Sequence, residues 1–80
     1  MKIVIYTKAN CPNCVSAKQL LQAKRLEYIE VDVEKIPATM ELLQRQFPEV
    51  RQMPQIFIND ERIGGFAGLR EWIKWKEEQK

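Results

Sequence analysis

Apolar residues fall along this chain in two rhythms. Ile3-Val4-Ile5-Tyr6 is a continuous, mostly β-branched run, the pattern of a strand covered on both faces of a sheet. From Cys14 the apolar positions open to helical spacing, with Ala17, Leu20 and Leu21 next, and predict a helix from Pro12 to about Lys24. Proline suits its first position, where a missing N–H costs nothing. Residues 28–33 then alternate, Ile29, Val31 and Val33 against Tyr28, Glu30 and Asp32, which reads as a second strand. With a helix between them, the two strands should run parallel through a right-handed crossover.

Pro37 opens a second predicted helix, whose apolar stripe is Ile36, Met40, Leu43 and Phe47 and whose end is marked by Pro48. Residues 48–53 read as a loop. Ile56-Phe57-Ile58, the turn Asn59-Asp60 and Arg62-Ile63 form a hairpin. Gly64-Gly65 breaks the chain, and Leu69, Trp72 and Ile73 mark a final helix to about Glu78. Trp75 falls off that stripe and reads as a rim residue, and Tyr6 as packing in or beside the sheet. The order is β-α-β-α-β-β-α, an α/β arrangement in one domain over residues 1–80, without internal repeats.

A chain of 80 residues buries only about 60% of its unfolded surface. The formal net charge is +2, with basic and acidic residues interleaved, so there is no basic stripe for nucleic acid. No stretch approaches the ~20 apolar residues of a membrane span. The N-terminal apolar run lacks the length and cleavage site of a signal peptide. A cytoplasmic, reducing setting is the expectation, and there a CxxC is more often catalytic or metal-binding than structural.

The two cysteines, Cys11 and Cys14, are the only ones in the chain. As a structural staple they would close too short a loop to restrict the unfolded chain much. With no histidine they cannot complete a four-ligand zinc site within one chain, so no metal is expected, although half of an intermolecular site stays open. A redox centre fits better. The thiolate is the reactive form, and the unpaired N–H groups and positive dipole end of a helix stabilise it. Cys11 falls at the predicted N-cap, with Lys8 three residues earlier. It is therefore expected to be the exposed nucleophile, ionising below the ordinary thiol range. Cys14, one turn into the helix and more buried, is the expected resolving thiol.

Three motifs, in order, give the chain its resemblance to the glutaredoxins of the thioredoxin-fold superfamily: Cys11-Pro12-Asn13-Cys14, Met53-Pro54-Gln55-Ile56-Phe57-Ile58 and Ile63-Gly64-Gly65-Phe66. The ending Gly-Gly-Phe-Ala-Gly-Leu-Arg-Glu-Trp is most similar to short bacteriophage glutaredoxins, with bacterial ones also similar. A phage source would place the protein in the host cytoplasm. The resemblance implies a thioredoxin fold, a four-stranded mixed sheet flanked by three helices, and a monomer. It implies a dithiol oxidoreductase with glutathione as co-substrate and disulfide-containing proteins, such as ribonucleotide reductase, as partners. By itself Pro54 reads as a strand-edge proline. The resemblance implies instead a cis bond, which would turn the Met53 backbone toward a substrate for strand-like pairing. It further implies that Lys8 and Arg51, with Arg45 as a weaker candidate, meet the glutathione carboxylates, and that Gly65, Phe66 and Ala67 hold the γ-glutamyl end.

The chain departs from that pattern where many members carry an acid just after Gly-Gly-x. Ala67 and Gly68 stand there, and Glu71 comes a turn too late. Met53 also replaces a more usual valine and Gln52 a common threonine. Weaker glutathione recognition and reduction by thioredoxin reductase are the alternative this opens. Of another class is a glutathione-dependent iron–sulfur carrier, against which Cys14 counts by competing for Cys11. A non-catalytic module is disfavoured by the intact CxxC.

Overall fold

The computed structural model describes residues 1–79; the last position of the expected domain, Lys80, lies outside them. The elements are β1 (Ile3–Thr7), α1 (Pro12–Ala23), β2 (Ile29–Asp32), α2 (Pro37–Gln46), β3 (Gln55–Ile58), β4 (Glu61–Gly64) and α3 (Phe66–Glu78). They form one mixed sheet in the order β2-β1-β3-β4. β1 pairs parallel with β2 in the register Val4 to Ile29, and antiparallel with β3 in the register Ile5 to Ile56. β3 and β4 form the hairpin, with a register shift between Ile56 and Phe57.

Side-chain alternation sorts two cores onto the two faces. Ile3 and Ile5 of β1 and Ile56 and Ile58 of β3 pack with Ala17 and Leu21 of α1 and Leu69 and Ile73 of α3. On the other face Tyr6 and Phe57 meet Met40 and Leu43 of α2 and Phe47 at its C-cap, together with Val33, Val50, Met53 and both cysteines. Tyr6 and Phe57 touch edge to face, ring centres 5.6 Å apart. A pair of helices covers the first face and α2 alone the second. The expected double-sided burial of β1 is therefore unequal: Ile3, Ile5 and Thr7 are buried, whereas Val4 and Tyr6 are half-buried.

β2 is an edge strand, and its apolar side is buried progressively: Ile29 is exposed, Val31 intermediate and Val33 buried. Of the α2 stripe, Met40, Leu43 and Phe47 join the second core. Ile36 is the N-cap and stands out at 53% exposure, because it precedes the helical turn that turns its successors inward.

Local chemistry fixes the ends. α1 closes with Leu26 N–H donating to Leu21 O at 2.9 Å and Arg25 N–H to Gln22 O at 3.0 Å, a Schellman arrangement. It places Arg25 at φ +55°, where glycine is the usual residue. The hairpin turn puts Asn59 and Asp60 at φ +51° and +69°, as a type I′ turn requires. No helix among the described residues is long and apolar enough to cross a membrane.

Candidate active site

The loop after β1 delivers Cys11 to the start of α1. Asn10 sits at φ +53°, which asparagine tolerates better than most residues, and the loop is pinned where Ala9 N–H donates to Glu34 Oε1 at 2.9 Å. Cys11 is the N-cap, with extended backbone, and Pro12 follows in the first turn. Cys14 N–H donates to Cys11 Sγ at 3.2 Å. A sulfur here replaces the usual oxygen cap, and this geometry favours the thiolate once the pair is reduced. Cys11 and Cys14 are joined as a disulfide, their Cα atoms 5.2 Å apart.

Burial differs from expectation at one of the two. Cys14 is 2% exposed, as its place one turn into α1 suggests, but Cys11 is only 8% exposed rather than open. Its sulfur is drawn against Cys14 and covered by Met53, whose carbonyl oxygen lies 3.4 Å away. The Met53–Pro54 peptide is cis.

Two cavities meet beside this sulfur. One, of about 410 Å³, runs from Lys8 past Cys11 and Pro12 to Asn13, Gln52 and Met53. The other, of about 330 Å³, shares those last three residues and continues past Pro54 and Gln55 to Gly65, Phe66 and Ala67. Together they make one groove, which collects Lys8, Cys11, Pro12, Met53, Pro54, Gly65, Phe66 and Ala67 from three separate segments. Arg51 is not brought in. Its Nη1 donates to the carbonyls of Pro48 and Val50 at 2.7 and 3.1 Å and so closes its own loop. Arg45 pairs with Glu41 on α2 and also stays out. Phe66 divides its surface between the groove and the first core, with Arg70 5.8 Å from its ring.

The groove is otherwise lined by amides. Asn13, Gln52 and Gln55 were not among the expected binding residues, although each lies inside or beside a motif. Among the described lining residues Lys8 is the one charged group. Among the described residues no carboxylate stands at the Ala67 end, and position 68 has no room for one: a Cβ on Gly68 would run into the carbonyl group of Ile63.

A wider cavity of about 690 Å³ flanks the cysteines on the β2 side. There the buried Thr7 hydroxyl donates to Glu30 Oε2 at 2.7 Å and Lys18 Nζ donates to the same oxygen at 3.1 Å. The Thr7 hydroxyl, helped by Lys18, holds the Glu30 carboxyl below its ordinary range, against partial burial and nearby Asp32. No cluster of three or more metal-ligating side chains occurs among the described residues.

The glutaredoxin family profile matches residues 3–63, from the first strand through the cysteine loop to the hairpin. The chain belongs to the glutaredoxin family. Glutaredoxin 1 of Escherichia coli is 35% identical over 80 residues, covering 92% of this chain and 94% of that protein. The structure of reduced Escherichia coli glutaredoxin superposes with a TM-score of 0.79 at 34% identity, covering 98% and 99% of the two chains. The glutaredoxin-like NrdH-redoxin of Escherichia coli, described for a thioredoxin-like activity profile, superposes with a TM-score of 0.78 at 26% identity over 89% and 93%. The sheet order and three helices are those expected of the thioredoxin fold. With its CxxC in the family's setting, this glutaredoxin is a thiol–disulfide oxidoreductase.

Proposed function

We propose that the chain draws electrons from glutathione and passes them to protein disulfides and glutathione mixed disulfides. The supporting observation is the Cys11 sulfur, capped by the Cys14 N–H at the end of α1 and bordering the groove that starts at Lys8. The Cys11 thiolate attacks one sulfur of the substrate disulfide; that S–S bond breaks and the leaving thiolate takes a proton. Cys14 then gives up its proton and attacks Cys11, forming the intramolecular disulfide and releasing the second substrate thiol. Two electrons have passed to the substrate, and two glutathione thiols restore the dithiol. Ribonucleotide reductase is the protein substrate we favour, acted on by a monomer in the cytoplasm.

A second electron source, thioredoxin reductase, is favoured by one specific observation. A zwitterionic peptide finds a cation at the Lys8 end of the groove but no carboxylate among the described residues at the Ala67 end. The two sources separate in a coupled assay. The oxidised protein is turned over with glutathione, glutathione reductase and NADPH, or with thioredoxin reductase and NADPH. Faster turnover in the second mixture would replace the electron donor and keep the chemistry. Cys11→Ser should abolish both. Cys14→Ser should spare the reduction of glutathione mixed disulfides, and activity of Cys11→Ser in either mixture would refute the assigned roles.

A further inference from the structure

We infer that Gln55 is a positioning residue that sets the reactivity of Cys11 from beneath the Gln52–Met53 loop. Gln55 is the first residue of β3, directly after Pro54. Its Nε2 donates to the Gln52 carbonyl at 2.9 Å. A carbonyl only accepts, so the nitrogen is the end that must face it. The other end, Oε1, is buried without a hydrogen-bond partner among the described residues. An unpaired buried acceptor destabilises a fold. Packing alone would therefore favour an unbranched or branched apolar side chain of the same length. What the amide adds is the tie to Gln52.

That tie bears on the attacking sulfur. Gln52 precedes Met53, and the Met53 carbonyl oxygen lies 3.4 Å from Cys11 Sγ. On its other side Cys14 N–H reaches the same sulfur at 3.2 Å. In the reduced protein these neighbours act in opposite directions. The N–H stabilises the thiolate, whereas the carbonyl accepts from the neutral thiol and repels the anion. The balance depends on where the carbonyl stands, and Gln55 holds the residue before it. Among the described residues the other titratable groups around Cys11 are Lys8, Cys14, Tyr6 of the same core and, across the wider cavity, Lys18, Glu30 and Asp32. A substitution at Gln55 leaves all of them in place. The inference rests on Cys11 being the attacking thiol.

The test is alkylation of the reduced, full-length protein with iodoacetamide from pH 4 to 9, the modified cysteine being located by mass spectrometry. Gln55→Met and Gln55→Leu remove the tie and the orphaned oxygen together, so their thermal midpoints should equal or exceed that of the unaltered protein. In both, Cys11 should alkylate about threefold faster at pH 6, with its profile moved to lower pH. An unchanged profile at Cys11, or one moved upward, overturns the inference alone. Alkylation at Cys14 first in the unaltered protein overturns the assignment of the attacking thiol and the inference with it. Loss of a cooperative melt in both variants also overturns it, since the amide would then serve the fold.

Discussion

Replacing Gly68 by alanine sets two effects of opposite sign against each other. Gly68 lies in the first turn of α3, and glycine in a helix is about 1 kcal/mol less favourable than alanine. Propensity alone therefore predicts a more stable protein. The added Cβ, however, would stand 3.0 Å from the carbonyl carbon of Ile63 and nearer still to its oxygen. The obstacle is backbone, which has no rotamer to change, so α3 must lift from β4. Overpacking costs typically 1–3 kcal/mol and occasionally more, and a backbone obstacle belongs at or above the top of that range. The net expectation is a loss of about 2 kcal/mol, from a total of roughly 4–12 kcal/mol for a domain of this size. A thermal melt followed by circular dichroism should then fall by about 8–16 °C. An unchanged or raised midpoint would show that α3 accommodates the side chain, and that position 68 is not closed on steric grounds.

Because position 68 is closed and Ala67 is exposed at the end of the groove, an anchor for an ammonium group has to be added at 67. Ala67→Asp should lower the KM for glutathione about fivefold, equivalent to about 1 kcal/mol in a wet groove, while thioredoxin-reductase turnover stays level. Arg25→Gly relieves the left-handed residue that ends α1 and should raise the thermal midpoint by about 4–8 °C, for about 1 kcal/mol. Glu30 binds its proton less readily folded than unfolded, chiefly through the Thr7 hydroxyl and then Lys18. Its contribution is therefore complete above the ordinary carboxylate range and disappears as pH falls through the folded value. Urea titrations should show Glu30→Gln less stable than the unaltered protein at neutral pH and the gap closing in acid; a constant gap would refute the linkage.

Much of this fold could be read before any coordinates, because each element carries its own period. Strand alternation and the helical stripes give the order and direction of β1, α1 and β2, and the proline positions give the helix starts. Covering is less legible. Ile29 and Ile36 look like core residues in sequence but lie at an edge and at a cap, which only the placement of α2 decides. In the site, the cysteine motif marks its own helix end, and Lys8, Met53 and Ala67 are drawn together as their motifs imply. Arg51 looked equivalent to Lys8 in sequence, yet two nearby carbonyls claim its guanidinium. Gln55 gave no warning, since nothing in a β-strand pattern distinguishes an amide that ties a loop from one that faces water. Arg25 likewise adopts a glycine conformation without being glycine, because Leu26 is held in the core.

The two cysteines are members of the α2-side core, packed with Val33, Leu43, Val50 and Met53. Oxidation and reduction therefore change the interior of the protein as well as its rim. Any side chain in that cluster that fits one state better than the other biases the equilibrium between them, at about 30 mV for every 1.4 kcal/mol of preference. Leu43 and Val50 line neither cavity of the groove, so a preference expressed there acts on the midpoint potential alone. The driving force of this redoxin is thus open to change from α2 and the loop after it, away from the groove beside Cys11.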